Sequence, residues 1–143
     1  YGPVAHAFET HSDIITDVAS WGSVAASMST GRGTYQSLYA VRHSNGLAVA
    51  LSNNQEICQA QSDLAQKEGV YCESSSATTL AGLRRLLAKG LIKEGERIVM
   101  LITASGVKDT EVTETYTGEI PEATADIQDV KRVLKETYGL NIE

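Results

Sequence analysis

The chain has 143 residues, 42% hydrophobic and 21% charged, with a net charge of −6 and a pI near 5.0. This is the composition of one ordinary globular domain and excludes wholesale disorder. The best apolar run, Ile98 to Ile102, falls far short of the roughly 18 residues a membrane helix needs, and the acidic balance lacks the clustered Lys and Arg that a nucleic-acid partner demands.

The chain opens at Tyr1 rather than Met and is read as an excised piece of something longer. Ser23 to Met28 is read as a short helix. Thr34 to Ser44 is read as another, through Tyr35, Leu38 and Val41, closed by Asn45-Gly46. Leu47 to Leu51 is a short apolar strand behind Gly46, and Ser52-Asn-Asn-Gln55 has the form of a capping box, so a helix is expected over 53–68. Ile57, Ala60 and Leu64 share its inner face, and Gly69 supplies the left-handed stop. Val70 to Cys72 is a second strand. The polar turn Glu73-Ser-Ser-Ser-Ala77 then leads into a helix over 76–89 through Leu80, Leu83 and Leu87. Ile98 to Ile102, five apolar residues in succession, is a third strand, read as buried on both faces as parallel strands are.

The order β-α-β-α-β predicts an α/β fold, a partial parallel sheet of about three strands with crossover helices. The last third is acidic: residues 109–143 carry nine acids and three bases. This is expected to be a solvated surface. Pro121 lies in the connection to an amphipathic helix built on Ile127, Val130, Leu134 and Tyr138 and stopped by Gly139.

A parallel sheet places ligand chemistry at the carboxyl ends of its strands. Two turns qualify. Glu73 to Ala77 presents hydroxyls and amide N–H groups at a helix start, where an anion or a polar ring substituent can be held, although the serines equally suit plain helix capping. Thr103 to Asp109 offers a hydroxyl at a strand end, a second at Ser105, a Gly and a Lys-Asp pair. His6, His11 and His43 lack the spacing of a metal site, and Cys58 and Cys72 are expected as buried thiols. Trp21 and Phe8 are expected to serve packing. No Ser-His-Asp arrangement is supported. Two cysteines allow at most one disulfide, and no secretory pattern is present at the amino end, so a cytoplasmic location is expected.

The succession from Gly46 to Ser52, a helix, Gly69 to Gly82, then Glu96 to Asp109 resembles the carboxyl-terminal part of the threonine synthases, within the fold-type II pyridoxal-phosphate (PLP) enzymes. Pro3 to Phe8 and Ser23 to Gly31 carry the resemblance back to the start of the chain. The resemblance implies that residues 1–110 are the carboxyl-terminal part of the PLP-binding large domain, with 111–143 an acidic connection and terminal helix. It implies that Thr103 hydrogen-bonds the pyridine nitrogen of PLP, and that Glu73, Ser74, Ser75, Ser76, Ala77 and Ser105 line the cofactor. The chain departs from the family in having Ser74 where Pro usually follows the Glu, Ala104-Ser105-Gly106 for Gly-His-Gly, and Met28-Ser-Thr-Gly31 for an Arg-Ile-Gly run.

The family's Schiff-base Lys and glycine-rich phosphate cradle lie in its earlier part and have no counterpart in this sequence. Lys108 falls in the terminal Gly-x-Lys-Asp loop, so no catalytic residue is assigned. The expected function is that of a fragment of a threonine synthase-like lyase, converting O-phosphohomoserine to threonine in the intact enzyme. A missing amino-terminal portion is its expected partner, an amino acid its substrate, and self-association through exposed apolar surface is expected of the fragment alone. The alternatives are a Ser/Thr dehydratase-type enzyme of the same fold and a non-catalytic regulatory or interaction domain.

Overall fold

The computed structural model describes residues 2–19, 22–118 and 120–142, so the packing role expected of Trp21 lies outside the described residues. Six α-helices are formed among them: α1 (Pro3–Glu9), α2 (Tyr35–His43), α3 (Asn54–Glu68), α4 (Ser74–Ala88), α5 (Thr110–Thr117) and α6 (Ile127–Tyr138). Their ends follow local chemistry. Pro3 stands at the first helical position of α1, where its fixed φ suits the helix and its missing N–H costs nothing. The Thr34 hydroxyl accepts the Ser37 N–H at the start of α2. Gly69 (φ 66°) and Gly139 (φ 68°) end α3 and α6 in the left-handed conformation that glycine adopts without strain.

The cap of α3 differs from the capping box by one residue. Asn53, not Ser52, accepts the Glu56 N–H at 3.0 Å, while the Ser52 hydroxyl and the Asn53 amide both donate to the Glu56 carboxylate. Helix α4 begins at Ser74, two residues before the expected start, and Ser23 to Met28 forms only a single 3-10 turn, Ala26–Met28. Helices α1 and α5 were not anticipated from the sequence.

The core lies where α3 packs on α4. Ile57, Ala60 and Leu64 from one helix meet Ala77 and Ala81 from the other, with Ala25 and Cys72 completing the cluster. Ile57 is 1% exposed, and burial of such a side chain stabilises by about 1.5–3 kcal/mol. Gln61 is buried as well, and its Nε2 donates to the Cys72 carbonyl at 2.7 Å, which satisfies a polar group that would otherwise be costly there.

The expected partial parallel sheet with crossover helices is not formed. Among the described residues there is no β-strand, and the one β-type pairing is an isolated antiparallel bridge between Cys72 and Ser105. The segments 47–51, 70–72 and 98–102 therefore do not make a three-stranded sheet, and α3 and α4 are not its crossovers. A strand, unlike a helix, closes its hydrogen bonds only with a neighbouring backbone, and among the described residues no backbone hydrogen bond joins these three segments to one another. Nor is the 98–102 run buried on both faces. Met100 and Ile102 pack against the core, whereas Val99 and Leu101 are 87% and 72% exposed. The 47–51 run is instead tied down by a side chain: Arg85 donates to the Ala50 carbonyl at 2.6 Å and, through Nε and Nη2, to both oxygens of Glu56 at 2.7 and 2.8 Å.

The chain divides into two compact units, residues 1–113 and 114–143. In the second, the Asp126 side chain accepts the Gln128 N–H at 2.7 Å to cap α6. Asp129 accepts the Thr124 N–H and hydroxyl, both at 2.8 Å, and pairs with Arg132. The Thr124 amide, then Arg132, hold the Asp129 carboxyl well below the ordinary aspartate range, at about 2. No helix among the described residues is long and apolar enough to cross a membrane.

Candidate functional site

The amino end of α4 and the segment that follows residue 102 meet, and the residues singled out in the sequence lie there. Backbone pairing sets the register: the Glu73 N–H donates to the Ala104 carbonyl at 3.0 Å and the Gly106 N–H to the Tyr71 carbonyl at 3.1 Å. Glycine at 106 is required by this approach, since a Cβ there would lie 2.5 Å from ring carbons of Tyr71. The phenol of Tyr71 is itself held by Thr113, 2.6 Å from its hydroxyl.

Ser76 is the hub. Its hydroxyl oxygen accepts from the Thr103 N–H at 3.0 Å and the Ala104 N–H at 3.3 Å, and lies 2.9 Å from the Thr103 hydroxyl. With both amides donating to it, its own proton is left for Thr103. The Thr103 hydroxyl is in turn 3.4 Å from one oxygen of Glu73, at the long limit of a hydrogen bond, and Lys108 Nζ pairs with the other Glu73 oxygen at 3.5 Å.

The remaining singled-out residues are in place around this hub. Ser74, Ser75 and Ala77 are buried in the first turn of α4, whereas Thr103 and Ser105 are exposed, and Ser105 caps the 3-10 turn Gly106–Lys108 by accepting the Val107 N–H. Glu73 occupies the cap position of α4 but makes no capping bond. That place is taken by Asp109, whose Oδ2 accepts the Ser74 N–H at 3.2 Å and the Ser74 hydroxyl. The role of Asp109 was not read from the sequence, where it stood only as half of a Lys-Asp pair. A long-range acidic cap leaves no local spacing signal.

Cys72 is fully buried, and burial pushes its thiol up from the ordinary value; neither Cys72 nor Cys58 forms a disulfide. His43 stacks on Tyr39 on α2, with ring centroids 3.6 Å apart, and His6 belongs to α1.

A separate groove of about 660 Å3 runs beside the site. It is lined by Leu47 to Leu51, Ile98 to Leu101 and, from α4, Gly82, Leu83 and Leu86, and by none of Glu73 to Ala77 or Thr103 to Ser105. Its walls are mainly apolar, with hydroxyls from Ser23, Ser29, Thr30, Thr78 and Thr79.

The description "Pyridoxal-phosphate dependent enzyme" matches residues 2–104. Among curated relatives, the chain is 34% identical over 136 residues to a threonine synthase of Methanocaldococcus jannaschii, covering 94% of this chain and 33% of that protein. It is 30% identical to a threonine synthase of Methanosarcina acetivorans, covering 92% and 33%. A shorter match, 43% identical over 70 residues, is to the threonine synthase of Halalkalibacterium halodurans and covers 49% and 20%. The chain thus spans about a third of the length of the first two relatives. The match over residues 2–104, most of the chain, establishes that the chain belongs to the family of pyridoxal-phosphate dependent enzymes.

Proposed function

We propose that this chain is the carboxyl-terminal portion of a cytoplasmic, threonine synthase-like lyase, which as a whole protein converts O-phosphohomoserine to threonine. The observation that carries the reading is the arrangement of Ser76 and Thr103. Because two backbone amides donate to Ser76, its hydroxyl proton goes to Thr103, and the Thr103 proton is the one left to give away. Among the described residues its further acceptor is Glu73, at the long distance of 3.4 Å.

This donor set fits the ring edge of PLP: a neutral, oriented hydroxyl can donate to a pyridine nitrogen without protonating it. PLP supplies an electron sink for carbanionic chemistry at the substrate, and the partner of its ring nitrogen tunes that sink. Thr103 would hold that nitrogen, Ser76 would orient Thr103, and Glu73 to Ala77 would line the ring. Lys108 keeps its ammonium against Glu73 and forms no covalent bond to the cofactor. The missing amino-terminal portion brings the Schiff-base Lys and the phosphate cradle, and the apolar groove is part of the surface it covers.

The test is Thr103→Val in the full-length protein. Loss of the hydroxyl leaves the ring acceptor unpaired at a cost of about 1–3 kcal/mol, so PLP affinity or turnover falls by about tenfold or more. Unchanged PLP binding and turnover would remove Thr103 from the site. For Lys108, treatment of this chain with PLP and borohydride is expected to leave no stoichiometric adduct there.

A further inference from the structure

We propose that Ser74 and Asp109 form a latch that positions Lys108 and Glu73 at the site, and through them the Thr103 hydroxyl. The inference rests on the reading of Thr103 as the donor to the cofactor.

The loop from Thr103 to Asp109 is fastened at two places. Its near end is held by Ser76, which accepts two of its amides, and by the backbone pairing of residues 71–73 with 104–106. Its far end is held by Asp109, through the N–H and hydroxyl of Ser74, and, four residues further on, by Thr113 on the Tyr71 phenol. Ser74 is 1% exposed, and its hydroxyl also lies 2.7 Å from the Val24 carbonyl. The Val24 N–H in turn donates to Asn54 at the start of α3, at 2.9 Å. The latch therefore seats the loop on the fixed α3–α4 pair rather than on a solvated surface.

Between the two fastenings stands the 3-10 turn Gly106–Lys108, which carries Lys108 to Glu73. With the latch released, the nearest fastening beyond the turn is Thr113 on Tyr71, and the 65% exposed Lys108 side chain is carried to Glu73 by a longer, looser span. The buried Glu73 carboxylate then loses its cation and, among the described residues, keeps only the long contact to Thr103. Both halves of the latch are needed. A residue at 74 without an N–H or hydroxyl cannot engage Asp109, and a residue at 109 without an acceptor leaves the amide of Ser74 buried and unpaired.

Two variants test the latch in the isotope-labelled full-length protein by amide hydrogen exchange. Asp109→Ala removes the acceptor. Ser74→Pro removes both donors while leaving the helix intact, because Pro is at home at the first helical position and Glu73, with ψ at 157°, already has the backbone a residue before Pro adopts. Exchange at Gly106, Lys108 and Asp109 should quicken by about tenfold or more in each variant, and at Thr103 and Ala104 by about threefold. The double variant should be no faster than either single one, since both break the same link. Asp109→Asn keeps an acceptor and should restore part of the protection. Unchanged exchange at Thr103 and Ala104, whatever happens in the turn, reduces the pair to a helix cap and overturns the proposal, as does additivity in the double variant. None of these readouts needs the cofactor, so a silent Thr103→Val in the whole protein would remove the cofactor reading and leave the latch standing.

Discussion

The pair formed by α3 and α4, amphipathic and largely polar in sequence, and the two extended runs, 47–51 and 98–102, wholly apolar, reach ends in the structure opposite to what composition alone suggests. The helices close their backbone hydrogen bonds internally and bury one stripe each, so Ile57, Ala60, Ala77 and Ala81 are almost wholly covered. The runs leave part of their surface open, with Val99 and Leu101 largely exposed, and depend on Arg85 and the core for their place. Helical structure is therefore complete within this stretch of sequence, while extended structure awaits a neighbour.

The sharpest way to break that contrast is to cut each region once. Ile57→Ala leaves a cavity between the helices and should cost about 2–4 kcal/mol in denaturant unfolding. Val99→Thr, at an 87% exposed position, should stay within about 0.5 kcal/mol. Equal losses would mean that the exposed run is as much a part of the core as α3.

A smaller effect is expected at the junction of the two regions. Arg85→Met removes the donor to Ala50 and Glu56, and should cost about 1–2 kcal/mol, a figure discounted for side chains 30% and 28% exposed. The Arg85 hydrogen bond holds the Glu56 carboxyl below its ordinary value against the opposing effect of burial. Its stabilisation is thus present above the ordinary glutamate value and is lost as pH falls through the lowered one. In Arg85→Met that part of the acid limb should flatten. If the limb is unchanged, Arg85 does not hold the run through Glu56.

The smallest effect belongs to Asp63, which joins α3 to Arg84 of α4. Lys67, then Arg84, hold Asp63 well below its ordinary value of 3.8, at about 2. The stability this pairing adds is full above the ordinary value and disappears as pH falls towards about 2. Asp63→Asn should flatten the dependence of stability on pH between about 2 and 3.8, and a change in that dependence near neutral pH would point to a different cause.

The same contrast explains what was legible beforehand. Helices α3 and α6 could be read because Ile57, Ala60 and Leu64, and Val130 and Leu134, repeat at helical spacing before a glycine in the left-handed conformation. The sheet could not be, because Ile98 to Ile102 states an extended preference without naming a partner, and five apolar residues in succession read as buried on both sides when only Met100 and Ile102 face the core. At the site, Glu73, Ser76 and Thr103 were visible as polar residues flanking apolar runs. Asp109 was not, since its bond to Ser74 joins residues 35 positions apart and neither carries a mark of the other. Helices α1 and α5 were missed because seven and eight residues give too few turns for a periodic stripe.

The close approach of Tyr71 to Gly106 has a consequence for how this loop can change. Any side chain at 106 must occupy space already filled by the ring, so the two positions behave as lock and ward: the ring decides which residue the loop accepts. A library that randomises 103–109 while keeping Tyr71 should return glycine at 106 in nearly every folded member. Only when residue 71 is pared down at the same time does the loop become open to redesign, and a loop borrowed from a relative would have to be transplanted together with its own residue 71.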